Sequence, residues 1–270
     1  MYKDFLLEEK LPLFWCAGCG DGIVLRAILE DFSNKGWTRE NTVVVTGIGC
    51  WGKADDYITT NTFHGTHGRA LAFATGMKLA KPSLNVVVLM GDGDGVTIGG
   101  NHLIHAARRN VDITGIMVNN FNYGMTGGQY SGTTPKESLT KTSPYGHVEN
   151  PFDVSELVKA AGATFVARAT VYDVNGLGSM ISKATAHRGF SFVEVISPCP
   201  THFGRNNKLG NAPEMMKYIR DNTVDISKAS GMTADELRGK IVTGISVDRE
   251  AEDYSSAYRR ITENMKGDEH

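Results

Sequence analysis

Short apolar runs recur along the first 200 residues, and they lack the clean alternation of a strand that is exposed on one face. Runs of this kind, rich in Val and Ile, are typical of strands that are covered on both faces. They predict five strands, at 43–46, 86–90, 113–118, 164–167 and 190–196. Between the strands, helical patterns occupy 23–32, 69–80, 102–109 and 155–161. This alternation predicts an α/β domain built on a parallel sheet.

The pattern becomes more polar after Pro200. Residues 201–270 favour a short, mostly helical C-terminal tail with one possible strand at 241–247. We therefore expect residues 1–200 to form the main domain and residues 201–270 to form an extension of it.

Composition excludes several classes of protein. The formal net charge is −2, and no basic run offers a surface for nucleic acid. No apolar stretch approaches the roughly 18 residues of a membrane helix, and the N-terminus has no signal-peptide core. Four cysteines in 270 residues are too few for a disulfide scaffold. We expect a cytoplasmic protein whose thiols are free, metal-bound or catalytic.

Polar residues follow two of the predicted strands. Asp92 lies in a Gly-Asp-Gly sequence after the second strand, and Asn120 follows the third. A carboxylate, an amide oxygen and the nearby carbonyl of Asn122 are suitable ligands for Mg²⁺, and glycines let backbone N–H groups approach a diphosphate. A P-loop is disfavoured because no Gly-Lys-Ser/Thr follows, and a dinucleotide fingerprint is weak because the third glycine comes too early. A plain turn beside an unrelated Asn pair remains an alternative.

The four cysteines lie near glycine or proline, in turns where their sulfurs could face a common ligand. Cys16 and Cys19 form a CxxC pair, while Cys50 and Cys199 stand alone. A [4Fe–4S] cluster needs four thiolates, which is the number present. A Cys₄ zinc site, a redox-active CxxC pair and unligated thiols remain open.

Six motifs in this order resemble the β subunit of the 2-oxoacid:ferredoxin oxidoreductases, from Trp15 to about Asn207. They are Trp15-Cys16-x-x-Cys19-Gly20, Gly47-Ile48-Gly49-Cys50, His64-Gly65-x-His67-Gly68-Arg69-Ala70, Gly91-Asp92-Gly93-Asp94, Gly99-Gly100-Asn101-His102 and Tyr123-Gly124-Met125-Thr126-Gly127-Gly128-Gln129. The resemblance implies a thiamine-diphosphate-binding domain of the diphosphate-binding type.

The resemblance also implies roles for individual residues. Magnesium would be held by Asp92, Asn120 and Asn122, and one [4Fe–4S] cluster by Cys16, Cys19, Cys50 and Cys199. The positions implied around thiamine diphosphate are Ile48, Gly49, Cys50, Trp51, His67, Gly91, Gly93, Asp94, Gly124 and Met125. Two positions depart from the family: Trp51 replaces a residue that is often small and polar, and Gly127 replaces a frequent lysine.

The implied reaction is coenzyme A-dependent oxidative decarboxylation of a 2-oxoacid, with electrons passing through the cluster to ferredoxin. The segments 125–129 and 203–207 resemble those of 2-oxoglutarate enzymes, and branched-chain 2-oxoacids and pyruvate are the alternatives. No catalytic side chain is expected in this chain, since a separate α subunit would supply the pyrimidine-binding domain in an αβ or (αβ)₂ assembly. A non-redox thiamine enzyme and an iron–sulfur protein without thiamine are the rival classes.

Overall fold

The computed structural model describes residues 2–267, and at its centre lies one eight-stranded sheet. Its strands are β1 (Thr42–Thr46), β2 (Asn61–His64), β3 (Asn85–Gly91), β4 (Thr114–Asn119), β5 (Phe165–Thr170), β6 (Ser191–Ile196), β7 (Thr223–Asp225) and β8 (Ile241–Asp248). Their order across the sheet is β2-β1-β3-β4-β6-β5-β8-β7. The first six strands in this order run parallel, and β8 pairs antiparallel with β5. The predicted α/β fold is confirmed.

Helices cover both faces of the sheet. They are α1 (Asp21–Asn34), α2 (Ala70–Ala80), α3 (Gly100–Arg108), α4 (Val154–Ala160), α5 (Val174–Ala186), α6 (Ala212–Asn222), α7 (Ile226–Ala229), α8 (Ala234–Leu237) and α9 (Tyr254–Gly267). On one face α1 and α5 pack against strand residues such as Val44 and Val87. On the other face α2, α3 and α4 pack against their neighbours Val43, Val86 and Val88. Because successive residues enter two different cores, the strands are apolar throughout.

Four neighbouring strands, β1, β3, β4 and β6, end at the same edge of the sheet. The turns that follow them contain most of the residues that the sequence singled out, whereas His67 follows β2 and the pair Cys16 and Cys19 precedes α1. Two of these turns continue into π-helical segments, Gly93–Ile98 after β3 and Pro200–Gly204 beyond β6. Ligands of parallel sheets bind at this edge, and π-helical turns are frequent at such sites.

The structure also departs from the sequence prediction in three of its strands and helices. The strands β2 and β7 and the helix α5 were not predicted. The possible strand at 241–247 is present as β8, and it extends the main sheet instead of lying in a separate tail. The proposed boundary near residue 200 stays a prediction. No helix within residues 2–267 is long and apolar enough to cross a membrane.

Candidate active site

Polar groups that follow β3 and β4 lie close together. One end of the Asn120 side-chain amide lies 3.3 Å from Asp92 Oδ1 and 2.8 Å from the carbonyl oxygen of Asn122, which are both acceptors. A nitrogen at this end donates to both of them, whereas an oxygen there adds a third ligand for a cation. Adjacent ligands in an octahedral Mg²⁺ shell are about 3 Å apart, because each lies about 2.1 Å from the ion. With the amide oxygen at this end, both distances from Asn120 fit neighbouring ligands of such a shell.

The carboxylate of Asp92 is buried, and hydrogen bonds fix one of its two oxygens. It is 2% exposed, and its Oδ2 atom accepts hydrogen bonds from the hydroxyls of Ser131 at 2.5 Å and Thr133 at 2.6 Å. Burial raises the pKa of Asp92 to about 6, although these hydrogen bonds lower it. With Oδ2 occupied, Oδ1 faces the Asn120 amide. Sequence reasoning missed the roles of Ser131 and Thr133.

A cleft opens above these oxygens at the edge of the sheet. The structure brings around it every position that the sequence assigned to thiamine diphosphate or magnesium, together with three further residues, Val118, Tyr123 and Thr126. The assigned positions in its wall are Ile48, Gly49, Cys50, Trp51, His67, Gly91, Asp92, Gly93, Asp94, Asn120, Asn122, Gly124 and Met125. Their individual roles stay a prediction.

The Asp94 carboxylate connects three turns of the cleft through hydrogen bonds. Its Oδ1 atom accepts hydrogen bonds from the backbone N–H groups of Ile48 at 3.2 Å and Gly68 at 2.7 Å, and it lies 2.6 Å from His67 Nδ1. The carboxylate is 2% exposed. Since these partners follow β1 and β2 while Asp94 follows β3, the carboxylate orients His67 at the cleft wall.

The side chain of Trp51 is 2% exposed, and its Nε1 donates to the carbonyl of Ile116 at 3.3 Å. Its bulk therefore lies largely in the core beneath the cleft. This placement shows how the chain accommodates a tryptophan at this position.

The three cysteine-bearing loops lie against one another. Trp15 Nε1 donates to the carbonyl of Cys50 at 2.7 Å, and a methyl group at Gly18 would lie 3.6 Å from Cγ of Pro200, the neighbour of Cys199. Burial, followed by the negative charge of Asp21, raises the pKa of the Cys50 thiol to about 12, and Cys16 and Cys199 add to the effect. Burial also raises the pKa of Cys19.

Gly124 lies beside two of the four sulfurs. A methyl group at Gly124 would lie 3.5 Å from Cys50 Sγ and 3.8 Å from Cys199 Sγ. All four cysteines are free thiols. Within the described part of the chain, no three His, Cys, Asp or Glu side chains form a group that could hold a metal ion.

Comparison with known proteins identifies the family. Residues 46–195 match the thiamine pyrophosphate enzyme C-terminal TPP-binding domain. The chain is 49% identical over 243 residues to the 2-oxoglutarate synthase subunit KorB of Methanothermobacter marburgensis, covering 90% of this chain and 85% of that protein. The chain belongs to the KorB family of 2-oxoacid:ferredoxin oxidoreductase β subunits. The predicted family and the thiamine-diphosphate-binding domain are thereby confirmed.

Two further matches extend this assignment to 98% of the chain. The KorB subunit of Methanocaldococcus jannaschii is 42% identical, and the alignment covers 98% of both chains. The 2-oxoglutarate:ferredoxin oxidoreductase of Magnetococcus marinus, solved with 2-oxoglutarate, coenzyme A and succinyl-CoA bound, matches with a TM-score of 0.87 at 33% identity over 98% of this chain and 90% of that one. The KorB fold therefore includes the C-terminal segment.

Proposed function

We propose that this chain is the β subunit of a 2-oxoglutarate:ferredoxin oxidoreductase, which converts a 2-oxoacid and coenzyme A to acyl-CoA and CO₂. Membership of the KorB family supports the substrate class. The observation that carries the proposal is the meeting of two ligand sets at one sheet edge: the oxygens around Asn120 and the sulfurs around Gly124.

Magnesium and the diphosphate would lie at the end of β3 and β4. Asp92, Asn120 and the Asn122 carbonyl would hold the ion, and Ser131 and Thr133 would fix the Asp92 carboxylate. The absence of a side chain at Gly93 leaves room for the Tyr123 ring, since a methyl group there would lie 2.3 Å from Tyr123 Cε1. Thiamine diphosphate supplies the electron sink for decarboxylation when it is bound.

A [4Fe–4S] cluster would be held by Cys16, Cys19, Cys50 and Cys199, and it would supply one-electron transfer toward ferredoxin. Two features support this assignment: the contacts among the cysteine loops, and the two sulfurs that flank Gly124. Cys16 is exposed, so an external electron carrier would have access to the proposed cluster at this ligand. A reducing, cytoplasmic compartment suits four unpaired thiols.

The activating carboxylate for the aminopyrimidine ring would come from an α subunit that covers the cleft, in an αβ or (αβ)₂ assembly. The support is that the sheet described here accounts for one α/β domain, whereas thiamine enzymes of this class bind the cofactor between two. The α subunit would also contact coenzyme A.

The test uses the complete complex, purified without oxygen and supplied with thiamine diphosphate, Mg²⁺ and coenzyme A. Viologen reduction is measured with 2-oxoglutarate, branched-chain 2-oxoacids and pyruvate. We expect 2-oxoglutarate to give the highest kcat/KM, and iron analysis to give about four atoms per β chain with little zinc. Stoichiometric zinc, or turnover without iron, would contradict the redox assignment.

A further inference from the structure

Residues 135–149 form an irregular loop, the 135–149 loop, which holds two large hydrophobic side chains in solvent. Tyr145 is 100% exposed and Val148 is 80% exposed, more than any other large hydrophobic residue within residues 2–267. We infer that this loop is a docking site for the α subunit, whose surface would bury both side chains. The inference rests on the proposed function, because the α subunit belongs to the proposed assembly.

Tyr145 and Val148 border one hollow of the surface, together with Tyr130, Pro144 and Glu149. A single exposed hydrophobic residue is common on a protein surface, whereas a contiguous group of them marks a surface that a partner covers. Tyrosine is enriched among the residues that contribute most to binding, since its ring buries a large area at a small entropic cost. The shared hollow therefore favours a partner with a complementary apolar surface.

The 135–149 loop is held in its conformation by a buried residue, His147. The Glu137 N–H donates to the His147 carbonyl at 2.7 Å. The His147 side chain is buried, and its ring centroid lies 4.6 Å from that of Tyr130. Because this fixed residue lies between Tyr145 and Val148, the two side chains are positioned before a partner binds. Such preorganisation lowers the entropic cost of binding.

Hydrogen bonds attach the 135–149 loop to the wall of the cleft. The Lys141 N–H donates to the Gly128 carbonyl at 2.9 Å, and the Gly128 N–H donates to the Tyr123 carbonyl at 2.9 Å. Tyr123 itself lines the cleft. Just before the loop, the Ser131 hydroxyl donates to the Asp92 carboxylate. A partner that covers the cleft therefore lies next to the 135–149 loop.

The composition of the 135–149 loop favours a permanent partner over a transient one. Interfaces between permanently associated subunits are more apolar than those of transient electron-transfer complexes. The loop contains two lysines and two glutamates, which balance each other, so it offers no net charge to attract a charged electron carrier. Attachment to the cleft wall favours the α subunit over a second copy of this chain, because the proposed α subunit covers that cleft.

The experiment compares complexes carrying Tyr145→Ser, Val148→Ser, Tyr145→Phe or the control Tyr258→Ser. Tyr258 is 60% exposed on α9. This helix begins where the Tyr254 N–H donates to the carbonyl of Asn110, which precedes β4, so the control lies at the opposite edge of the sheet from the cleft. Fluorescence-detected sedimentation of each labelled complex, diluted through nanomolar concentrations, gives the Kd of the αβ pair.

We expect Tyr145→Ser to raise this Kd by about ten- to a hundredfold, as truncation of a buried interface tyrosine implies. Val148→Ser should raise it by about tenfold. Tyr145→Phe keeps the ring and should stay within about fivefold of the wild type, and Tyr258→Ser should leave the Kd unchanged. The circular dichroism of every complex should match the wild type, because each replaced side chain is exposed in this chain. If Tyr145→Ser alters the spectrum, Val148→Ser decides the outcome.

An unchanged Kd in the serine variants, or an equal increase in Tyr258→Ser, would overturn the inference. Intact αβ pairs that no longer form (αβ)₂ would assign the 135–149 loop to a second copy of this chain. Slower reduction of ferredoxin at an unchanged Kd would assign it to the electron carrier, and either result overturns the inference. A wild-type complex that assembles but turns over no 2-oxoacid would instead refute the proposed function.

Discussion

Replacing Asp92 with asparagine keeps the shape of a buried side chain and removes its charge. If Asp92 is a magnesium ligand, the substitution has two opposite effects. The complex should bind thiamine diphosphate more weakly, whereas the cofactor-free chain should become more stable. A residue with a purely structural role would not produce this pair of effects.

The stability effect follows from the pKa of Asp92, which burial raises from 3.8 to about 6. A raised carboxyl pKa means that the folded chain binds the proton more tightly than the unfolded chain. The contribution of Asp92 to stability is therefore fully present below about pH 4, falls as the pH rises, and is lost above about pH 6. The cost is about 3 kcal/mol at neutral pH, and Asp92→Asn should recover up to about that amount. Below about pH 4 the two proteins should be equally stable.

The binding effect follows from the loss of the only charged group among the three oxygens around Asn120. Removing one member of a buried charge pair costs about 3 kcal/mol or more, which corresponds to at least about a hundredfold weaker binding. Binding of thiamine diphosphate to the complex at fixed Mg²⁺ measures this loss by calorimetry. Urea unfolding of the cofactor-free chain at several pH values measures the stability. Asp235→Asn, at an 85% exposed carboxylate, is the control for charge removal alone.

Unchanged cofactor affinity in a folded Asp92→Asn complex would show that the metal site has been misplaced. A variant less stable than the wild type above pH 7 would show that the Asp92 carboxylate is not penalised by burial in the way its surroundings imply.

Three further predictions concern the cluster, the partner subunit and the core. Cys50→Ala should lower the iron content from about four atoms per chain to almost none, measured by iron analysis after anaerobic purification; retention of iron would exclude Cys50 as a ligand. The isolated chain, loaded with cofactor and iron, should not reduce a viologen with any 2-oxoacid, and turnover equal to the complex would place the activating carboxylate in this chain. Arg168→Met should destabilise the chain by about 3–5 kcal/mol in urea unfolding, because Arg168 Nε lies 2.8 Å from a carboxylate oxygen of the 2% exposed Glu194; a loss under about 1 kcal/mol would mean that Glu194 is satisfied without it.

The sequence predicted those strands and helices whose burial requires a local pattern of apolar residues. The central strands are buried along their whole length, so their apolar runs are visible. The strand β2 shows no such run because all four of its residues, Asn61–His64, are exposed at the sheet edge. The helix α5 contains Gly176 and Gly178, which have low helix propensity, and it begins where Asp173 accepts a hydrogen bond from the Gly176 N–H at 3.0 Å.

The same reasoning explains which residues of the candidate site could be predicted from the sequence. Asp92 and Asn120 each follow directly after an apolar run. Because the carboxyl ends of parallel strands lie at one edge of a sheet, the two side chains were expected to lie close together. Ser131 lies 39 positions from Asp92 and reaches it through a loop without regular periodicity. Contacts of this kind depend on how an irregular segment returns to the sheet, which no local pattern specifies.

The loop from Asn119 to Gly124 contains residues of the proposed magnesium site and also lies beside the cysteines of the proposed cluster. The conformation of its backbone accounts for this arrangement. Phe121 has a φ of 65°, a conformation that costs a residue other than glycine about 1 kcal/mol or more. This turn directs the Phe121 ring toward Phe203, with ring centroids 5.4 Å apart, while the Asn120 amide lies 3.3 Å from Asp92 Oδ1. Asn122 also places its Oδ1 within 3.9 Å of Cys199 Sγ. Gly124 follows without a side chain, and a methyl group there would lie 3.5 Å from Cys50 Sγ and 3.8 Å from Cys199 Sγ, so the loop approaches both sulfurs with its backbone. The residues that would hold magnesium and two of the cysteines that would hold the cluster are therefore brought together by this one loop.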